Sequence, residues 1–82
     1  MFHQYVTFNY EINAPGKIQI KIYDALGKEV KTLTSKDSPV GTHYVIWDGT
    51  GSSNEAVQNG LYFYRINFNG INYTGKILKT DL

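Results

Sequence analysis

The sequence predicts an all-β fold, a seven-stranded antiparallel sandwich, and three observations indicate it. Apolar and polar residues alternate along almost every segment, which is typical of strands with one buried face. Turn residues recur at roughly 8–12-residue intervals and divide the chain into short segments. Tyr, Ile, Val and Thr are frequent, and no segment has the apolar spacing of a helix. A sandwich of the immunoglobulin or fibronectin type fits these observations, and a small barrel is the alternative.

The first two strands show the alternation most clearly. In the first, Val6 to Ile12, the apolar residues at 6, 8, 10 and 12 share one face. In the second, residues 17–24, isoleucines at 18, 20 and 22 are expected to point inward, because Lys and Gln stand between them. Between the two strands, Ala14-Pro15-Gly16 predicts a turn, since proline fixes φ and glycine accepts positive φ.

The remaining strands are delimited by turn and loop signals. Gly27 is expected in a left-handed conformation in the turn after Asp24, and Asn69-Gly70 is a strong two-residue hairpin signal. Residues 48–59 are polar and glycine-rich and read as a long loop. The segments assigned as strands are 29–34, 42–47, 61–67 and 71–79, and residues 35–41 are assigned as a loop.

Length and composition limit the classes of function. The 82 residues are expected to form one domain, 1–82, the C-terminal module of a larger protein, with the abrupt start at Met1 marking a cut. Eight Lys and Arg against seven Asp and Glu are scattered along the chain, which argues against nucleic-acid binding. There is no cysteine for a disulfide or a thiolate zinc site, and no apolar run long enough for membrane insertion.

Catalytic and metal-binding patterns are weak. No serine lies in a Gly-x-Ser-x-Gly turn, and several carboxylates fall in or beside turns. His3 and His43 have no ligand-spaced partners, so we interpret them as solvent-facing strand residues. The segment from Asp48 to Glu55 faintly resembles a calcium loop, but Thr and Ser occupy positions where strong sites have Asp or Asn. We favour an Asx-type turn at Asp48, and we expect no enzyme, no cofactor, no metal and no small-molecule substrate.

The aromatic residues divide between two strand faces. Alternation places Trp47 on one face of its strand with His43 and Val45, and Tyr62 and Tyr64 together on one face of theirs; if these faces point inward, the three rings supply much of the core. The opposite faces carry Tyr44 and Ile46 in one strand, and Leu61, Phe63 and Arg65 in the other. If these strands are neighbours, the outward residues form an apolar patch, which is either a docking surface or is covered by a neighbouring domain.

Four motifs together resemble one family. They are "KIQIKIYDALGKEVKTL", "GTHYVIWDG", "NGLYFYRI" and "GKILK", and the likeness runs from about residue 6 to residue 79. The set is similar to the immunoglobulin-like domain of the flagellar hook-capping protein FlgD, and to the related C-terminal sorting domains of the type IX secretion system. "MFHQYVTF" replaces the Asn-Pro-rich segment usual before the first strand. The loop after Trp47 usually runs to a glycine before a valine in the family, whereas here Asn54-Glu55-Ala56 precedes Val57, and Asn54 is a residue that can adopt a left-handed conformation.

The resemblance implies a noncatalytic C-terminal module on an exported bacterial protein, extracellular or at the cell surface. In one interpretation the secretion machinery recognises it as a sorting and surface-attachment signal. In another it is a structural spacer or assembly domain that packs against a neighbouring domain of the parent protein. A carbohydrate-binding module that uses an exposed Tyr or Trp is a third alternative. The candidate contact residues are Tyr44, Ile46, Phe63, Arg65, Lys76, Ile77, Leu78 and Lys79.

Overall fold

The computed structural model describes residues 6–80 and contains two antiparallel sheets. A two-stranded sheet has the order β1-β4, and a four-stranded sheet has the order β3-β2-β5-β6. The predicted all-β, antiparallel, two-sheet architecture is therefore confirmed. The strands are β1 Val6–Ile12, β2 Gly16–Asp24, β3 Glu29–Ser38, β4 Gly41–Trp47, β5 Gly60–Phe68 and β6 Ile71–Lys79.

Residues 6–80 form six strands, so the predicted number of seven is wrong for this part of the chain. The segment between β4 and β5 contributes only one isolated bridge, between Thr50 and Ala56, because its backbone bonds close local turns instead. A second difference is the length of β3, which continues to Ser38 through most of the predicted loop 35–41. Only Pro39 and Val40 then link β3 to β4.

The core lies between the two sheets and contains the residues that alternation assigns to inward faces. Two edge-to-face ring pairs join the sheets: Trp47 of β4 with Tyr62 of β5, at 5.3 Å between ring centroids, and Phe8 of β1 with Tyr64 of β5, at 5.1 Å. Both strands of the small sheet thus pack over β5. The buried apolar residues are Phe8, Ile12, Ile18, Ile20, Ile22, Trp47, Tyr62 and Ile77.

Positive-φ residues close the turns where the sequence predicts them. Gly27 has φ 86°, and the carboxylate of Asp24 accepts hydrogen bonds from the backbone N–H groups of Leu26 and Lys28, both at 2.9 Å. Asn69 and Gly70 have φ 50° and 85°, the combination that a type I′ hairpin requires. Asn54 has φ 62°, the left-handed conformation that asparagine adopts more readily than most residues.

Over residues 6–80 the chain has no helix that is long and apolar enough to cross a membrane.

Candidate functional site

The outward face of the four-stranded sheet brings several of the predicted contact residues together. Phe63 of β5 stands between Tyr23 of β2 and Lys76 of β6 in the strand register. Leu61, two positions before Phe63, pairs with Leu78, whose exposed fraction is 68%. Since strand residues two apart share a face, these side chains form one continuous surface across three strands. We call this surface the outer face.

Arg65 is held on the outer face by Tyr23. The guanidinium lies over the Tyr23 ring, 5.1 Å from its centroid, and an Arg65 N–H donates to the Tyr23 hydroxyl. Both contacts restrict a long side chain that would otherwise sample many rotamers. Arg65 is exposed, and since a guanidinium carries five N–H groups, donors remain beyond the one that Tyr23 accepts.

The charge of the outer face is mostly positive around Phe63. Lys21 stands opposite Arg65 across β2 and β5, and its ammonium group is 2.8 Å from the Glu29 carboxylate. That hydrogen bond raises the pKa of Lys21, so this ammonium stays charged at neutral pH. Lys76 adds a third cation, and because Lys21 and Glu29 offset each other, Arg65 and Lys76 give this surface its net positive charge. The outer face therefore offers positive groups beside aromatic and aliphatic side chains.

An open depression of about 440 Å³ occupies the centre of this surface. Its walls come from β2, β5, β6 and the β2–β3 turn, and its opening faces solvent. This form suits a side chain of a macromolecular partner better than an enclosed small molecule. The lining residues are Tyr23, Gly27, Phe63, Tyr64, Arg65 and Thr74.

The predicted contact residues do not form a single patch, which corrects the expectation from sequence. Tyr44 and Ile46 lie in β4 of the small sheet, whereas Phe63 lies in β5 of the large sheet. These strands are not neighbours, so the two pairs of outward residues face opposite sides of the sandwich. Tyr44 is 70% exposed on its own face, beside Asn9 of β1.

Two residues of the closing strand also differ from the expectation. Ile77 is 8% exposed and belongs to the core, because it pairs with Tyr62 on the inward face. It is therefore unsuited to direct contact with a partner. Lys79 is half-buried, and its ammonium donates to the side-chain oxygen of Asn59 at 3.3 Å. Of the four contact residues predicted in this strand, Lys76 and Leu78 are the two that lie exposed on the outer face.

The loop after β4 uses its oxygens internally. The Asp48 carboxylate accepts from the Thr50 backbone N–H at 3.2 Å and from the Thr50 hydroxyl at 2.6 Å, which confirms the predicted Asx-type turn. The Lys31 ammonium donates to Thr50 Oγ1 at 2.7 Å and to Asn54 Oδ1 at 3.3 Å. The Thr50 hydroxyl bond, aided by the charge of Lys31, lowers the pKa of Asp48. The positive charge beside the oxygens of this loop is therefore that of the Lys31 ammonium.

Histidine and carboxylate side chains do not converge elsewhere in the described part of the chain. No group of three or more metal-binding side chains is present within residues 6–80. His43 is half-buried and not solvent-facing as predicted, because its ring stacks on Tyr10 at 5.5 Å and its Nε2 lies 2.8 Å from the Pro39 carbonyl oxygen. His3 lies outside the described residues.

Three residues of the outer face, Tyr23, Lys21 and Thr74, are absent from the contact residues proposed from sequence. The period-two pattern of β2 places Tyr23 and Lys21 opposite the buried isoleucines, so their outward direction is readable from the sequence. Their position beside Phe63 and Arg65 is not, because it depends on β2 pairing with β5 across about 40 intervening residues.

The family follows from comparison with known proteins. Residues 3–75 match the family model described as the FlgD Ig-like domain, and the chain belongs to this family. Two sheets packed around a tryptophan-centred core agree with an Ig-like domain. Neither the curated proteins nor the solved structures contain a significant match to the chain. The family indicates a structural Ig-like module, a class that is typically noncatalytic.

Proposed function

We propose that this domain is a noncatalytic docking module, the C-terminal part of an exported bacterial protein. In this proposal the secretion machinery recognises the folded domain as a sorting and surface-attachment signal, and the parent protein acts outside the cell or at its surface. Membership of the FlgD Ig-like family supports a structural module. The export role is inferred from the resemblance of the closing motifs to type IX sorting domains.

One observation carries the proposal: β6 is an edge strand whose outward side chains extend the outer face. Among the strands of residues 6–80 it pairs with β5 alone, so the edge of residues 71–78 that faces away from β5 can receive a partner strand. Lys76 and Leu78 stand beside Phe63 and Leu61 on the same surface. A partner that pairs with β6 therefore also reaches the exposed side chains of β5.

The experiment is an export assay in a bacterium with a type IX secretion system. Residues 1–82 are fused to the C-terminus of a reporter, and Leu78→Asp and Lys76→Glu are introduced separately. We expect each variant to reduce the exported fraction severalfold while the reporter accumulates inside the cell. Point variants are preferable to removing β6, because removal also takes Ile77 out of the core. The matched control is Tyr44→Asp, on the opposite side of the sandwich.

Unchanged export of both β6 variants, with circular dichroism showing folded domains, would exclude the outer face as the export signal. Reduced export with Tyr44→Asp alone would move the contact to the small sheet.

A second candidate function is a structural spacer or assembly domain. The exposed aromatic ring of Tyr44 and the neighbouring Ile46 on β4 favour it, since a neighbouring domain of the parent protein can cover them. In that case Ile46→Ser should weaken assembly of the parent protein and leave the isolated domain folded. Size-exclusion chromatography of the parent protein with and without this change distinguishes the two functions.

Trp47 is buried and therefore does not support the carbohydrate-binding alternative. Trp47 is 1% exposed, and its indole N–H donates to the Thr50 carbonyl at 2.9 Å, so no sugar can stack on this ring in the folded domain.

A further inference from the structure

We infer that the outer face binds an extended acidic peptide, in which apolar side chains precede a carboxylate at alternate positions. The inference deepens the proposed docking function and rests on it, since it names the chemistry of the partner. It rests on the order of the outward side chains along β5. Leu61 is aliphatic, Phe63 is aromatic and Arg65 is cationic, and the three follow one another at alternate positions.

The spacing of these residues fits an extended ligand. Side chains two positions apart on a strand are about 6.6 Å apart, and the same distance separates alternate side chains of an extended peptide. A partner segment of the pattern apolar-x-apolar-x-acidic thus places one apolar side chain at Leu61, the next at Phe63 and the carboxylate at Arg65. The open depression between Phe63, Tyr23 and Arg65 has room for the second apolar side chain and the carboxylate.

The apolar end of the surface extends beyond Leu61. Leu26, at the tip of the β2–β3 turn, is 95% exposed, and a second depression of about 210 Å³ lies between this turn and the start of β5. Its lining includes Leu26, Leu61 and Tyr62. Leu78 continues the same apolar region on β6. The first apolar side chain of the partner can therefore be buried against leucines from two sides.

Charge decides between an acidic and a neutral or basic partner. Around the large depression the charges of Lys21 and Glu29 offset each other in an ion pair, which leaves Arg65 and Lys76 as the cations not paired with a carboxylate within residues 6–80. The nearby carboxylate of Asp24 accepts from the backbone of its own turn. Arg65 is held in place by Tyr23 and keeps guanidinium donors for a second acceptor, the arrangement that favours a carboxylate. A basic segment would be repelled.

The test is titration of the isotope-labelled 82-residue chain with synthetic peptides, followed by amide chemical shifts. The probe is acetyl-Leu-Ser-Leu-Ser-Glu-amide, and its matched control has Gln in place of Glu. We expect the acidic peptide to shift the amides of β5, β6 and the β2–β3 turn, and to bind about fivefold more tightly than the Gln peptide, the effect of one surface charge pair. High salt should reduce this difference.

Variants of the chain identify which cation causes the preference for the acidic peptide. Arg65→Gln should abolish the preference for the Glu peptide over the Gln peptide. Lys36→Gln, which likewise replaces an exposed cation by glutamine but in β3, should leave that preference intact. Tyr23→Phe keeps the ring but removes the hydroxyl that holds Arg65, and should weaken the preference in part. Equal binding of the two peptides, shifts confined to the small sheet, or no shifts at millimolar peptide would each overturn the inference.

The outcome is separable from that of the export assay. Peptide binding at the outer face with unimpaired export of the Leu78→Asp fusion would leave the binding site standing and remove the export role. Impaired export without any preference for Glu would keep the docking function and refute the acidic chemistry.

Discussion

At the scale of a single residue, Trp47 joins the two sheets. Its ring packs edge-to-face on Tyr62 from the opposite sheet, and its indole N–H is bonded to the loop carbonyl of Thr50. Alternation in β4 places Trp47 on one face with His43 and Val45, opposite Tyr44 and Ile46, and the structure shows that the face of Trp47 is the inward one. The indole hydrogen bond is not predictable in that way, because it depends on how the following loop folds back.

Replacing Trp47 by alanine should cost about 3–5 kcal/mol of unfolding free energy, because a large buried ring leaves a cavity and an unpaired carbonyl. At roughly 0.05–0.15 kcal/mol per residue, a domain of 82 residues has about 4–12 kcal/mol in total, so the variant should lose a large part of its stability. Urea denaturation followed by far-UV circular dichroism measures the loss. Tyr44→Ala, exposed on the same strand, is the control and should change stability by less than about 0.5 kcal/mol.

Asp48 should make stability depend on pH in the acidic range. Its folded-state pKa lies below the ordinary value of 3.8, mainly because the Thr50 hydroxyl bonds to the carboxylate, with Lys31 contributing charge. The stabilisation is therefore complete above about pH 3.8 and is lost as pH falls through the folded pKa. Asp48→Asn keeps an acceptor for Thr50 but removes the charge. Its stability deficit should be below about 1 kcal/mol, because the carboxylate is half exposed.

The measurement is urea unfolding of wild type and Asp48→Asn at several pH values from neutral to strongly acidic. The two curves should converge below about pH 3.8. A constant difference over the whole range would show that the carboxylate charge does not stabilise the fold.

At the scale of strands, the packing of β6 against β5 depends on a glycine that lies under an aromatic ring. Tyr64 and Gly75 are register partners, and a Cβ atom added to Gly75 would fall on the Tyr64 ring. The ring thus lies across the β6 backbone, where it also meets Phe8 from the small sheet. Sequence alternation predicts that Tyr64 points inward, but it gives no reason for the glycine, because only the register shows which residue the ring covers.

Gly75→Ala should therefore destabilise the domain by about 1–3 kcal/mol, the cost of overpacking a filled position. Tyr64→Leu removes the hydroxyl and the far end of the ring, so the same glycine change should cost less in that background. A double-mutant cycle of unfolding free energies measures this coupling. Lys76→Ala, the next residue and outward-facing, is the control. Additive effects of the two substitutions would contradict the proposed ring contact.

For the whole molecule, the sequence is informative about directions within strands and much less about neighbours between them. The inward faces of β1, β2 and β5 follow from alternation, and the turns at Gly27 and Asn69-Gly70 follow from their φ requirements. The predicted patch of Tyr44 with Phe63 fails because consecutive strands β4 and β5 belong to different sheets. Consecutive strands are neighbours only about two-thirds of the time, and the 12-residue loop between these two permits a crossing.

The unequal sheets should produce unequal local stability. Within residues 6–80, β2 and β5 each have a hydrogen-bonded neighbour on both sides, whereas β1 pairs with β4 alone and β4 with β1 alone. The small sheet is held to the large one chiefly by side-chain packing, through rings such as Phe8 and Trp47. Opening β1 therefore breaks one ladder and exposes part of the core, while opening β2 breaks two ladders and exposes three buried isoleucines.

Native-state hydrogen exchange of residues 6–80 tests this ranking. Bonded amides of β2 and β5 should exchange only through global unfolding, with a steep dependence on denaturant, and those of β1 through smaller openings with a shallow dependence. Phe8→Ala should speed exchange in β1 and β4 more than in β2, because it removes the ring that packs β1 on Tyr64. If β1 amides were as protected as those of β2, with the same denaturant dependence, the two sheets would open as one cooperative unit, and side-chain packing between them would be as strong as the hydrogen-bonded ladders within the large sheet.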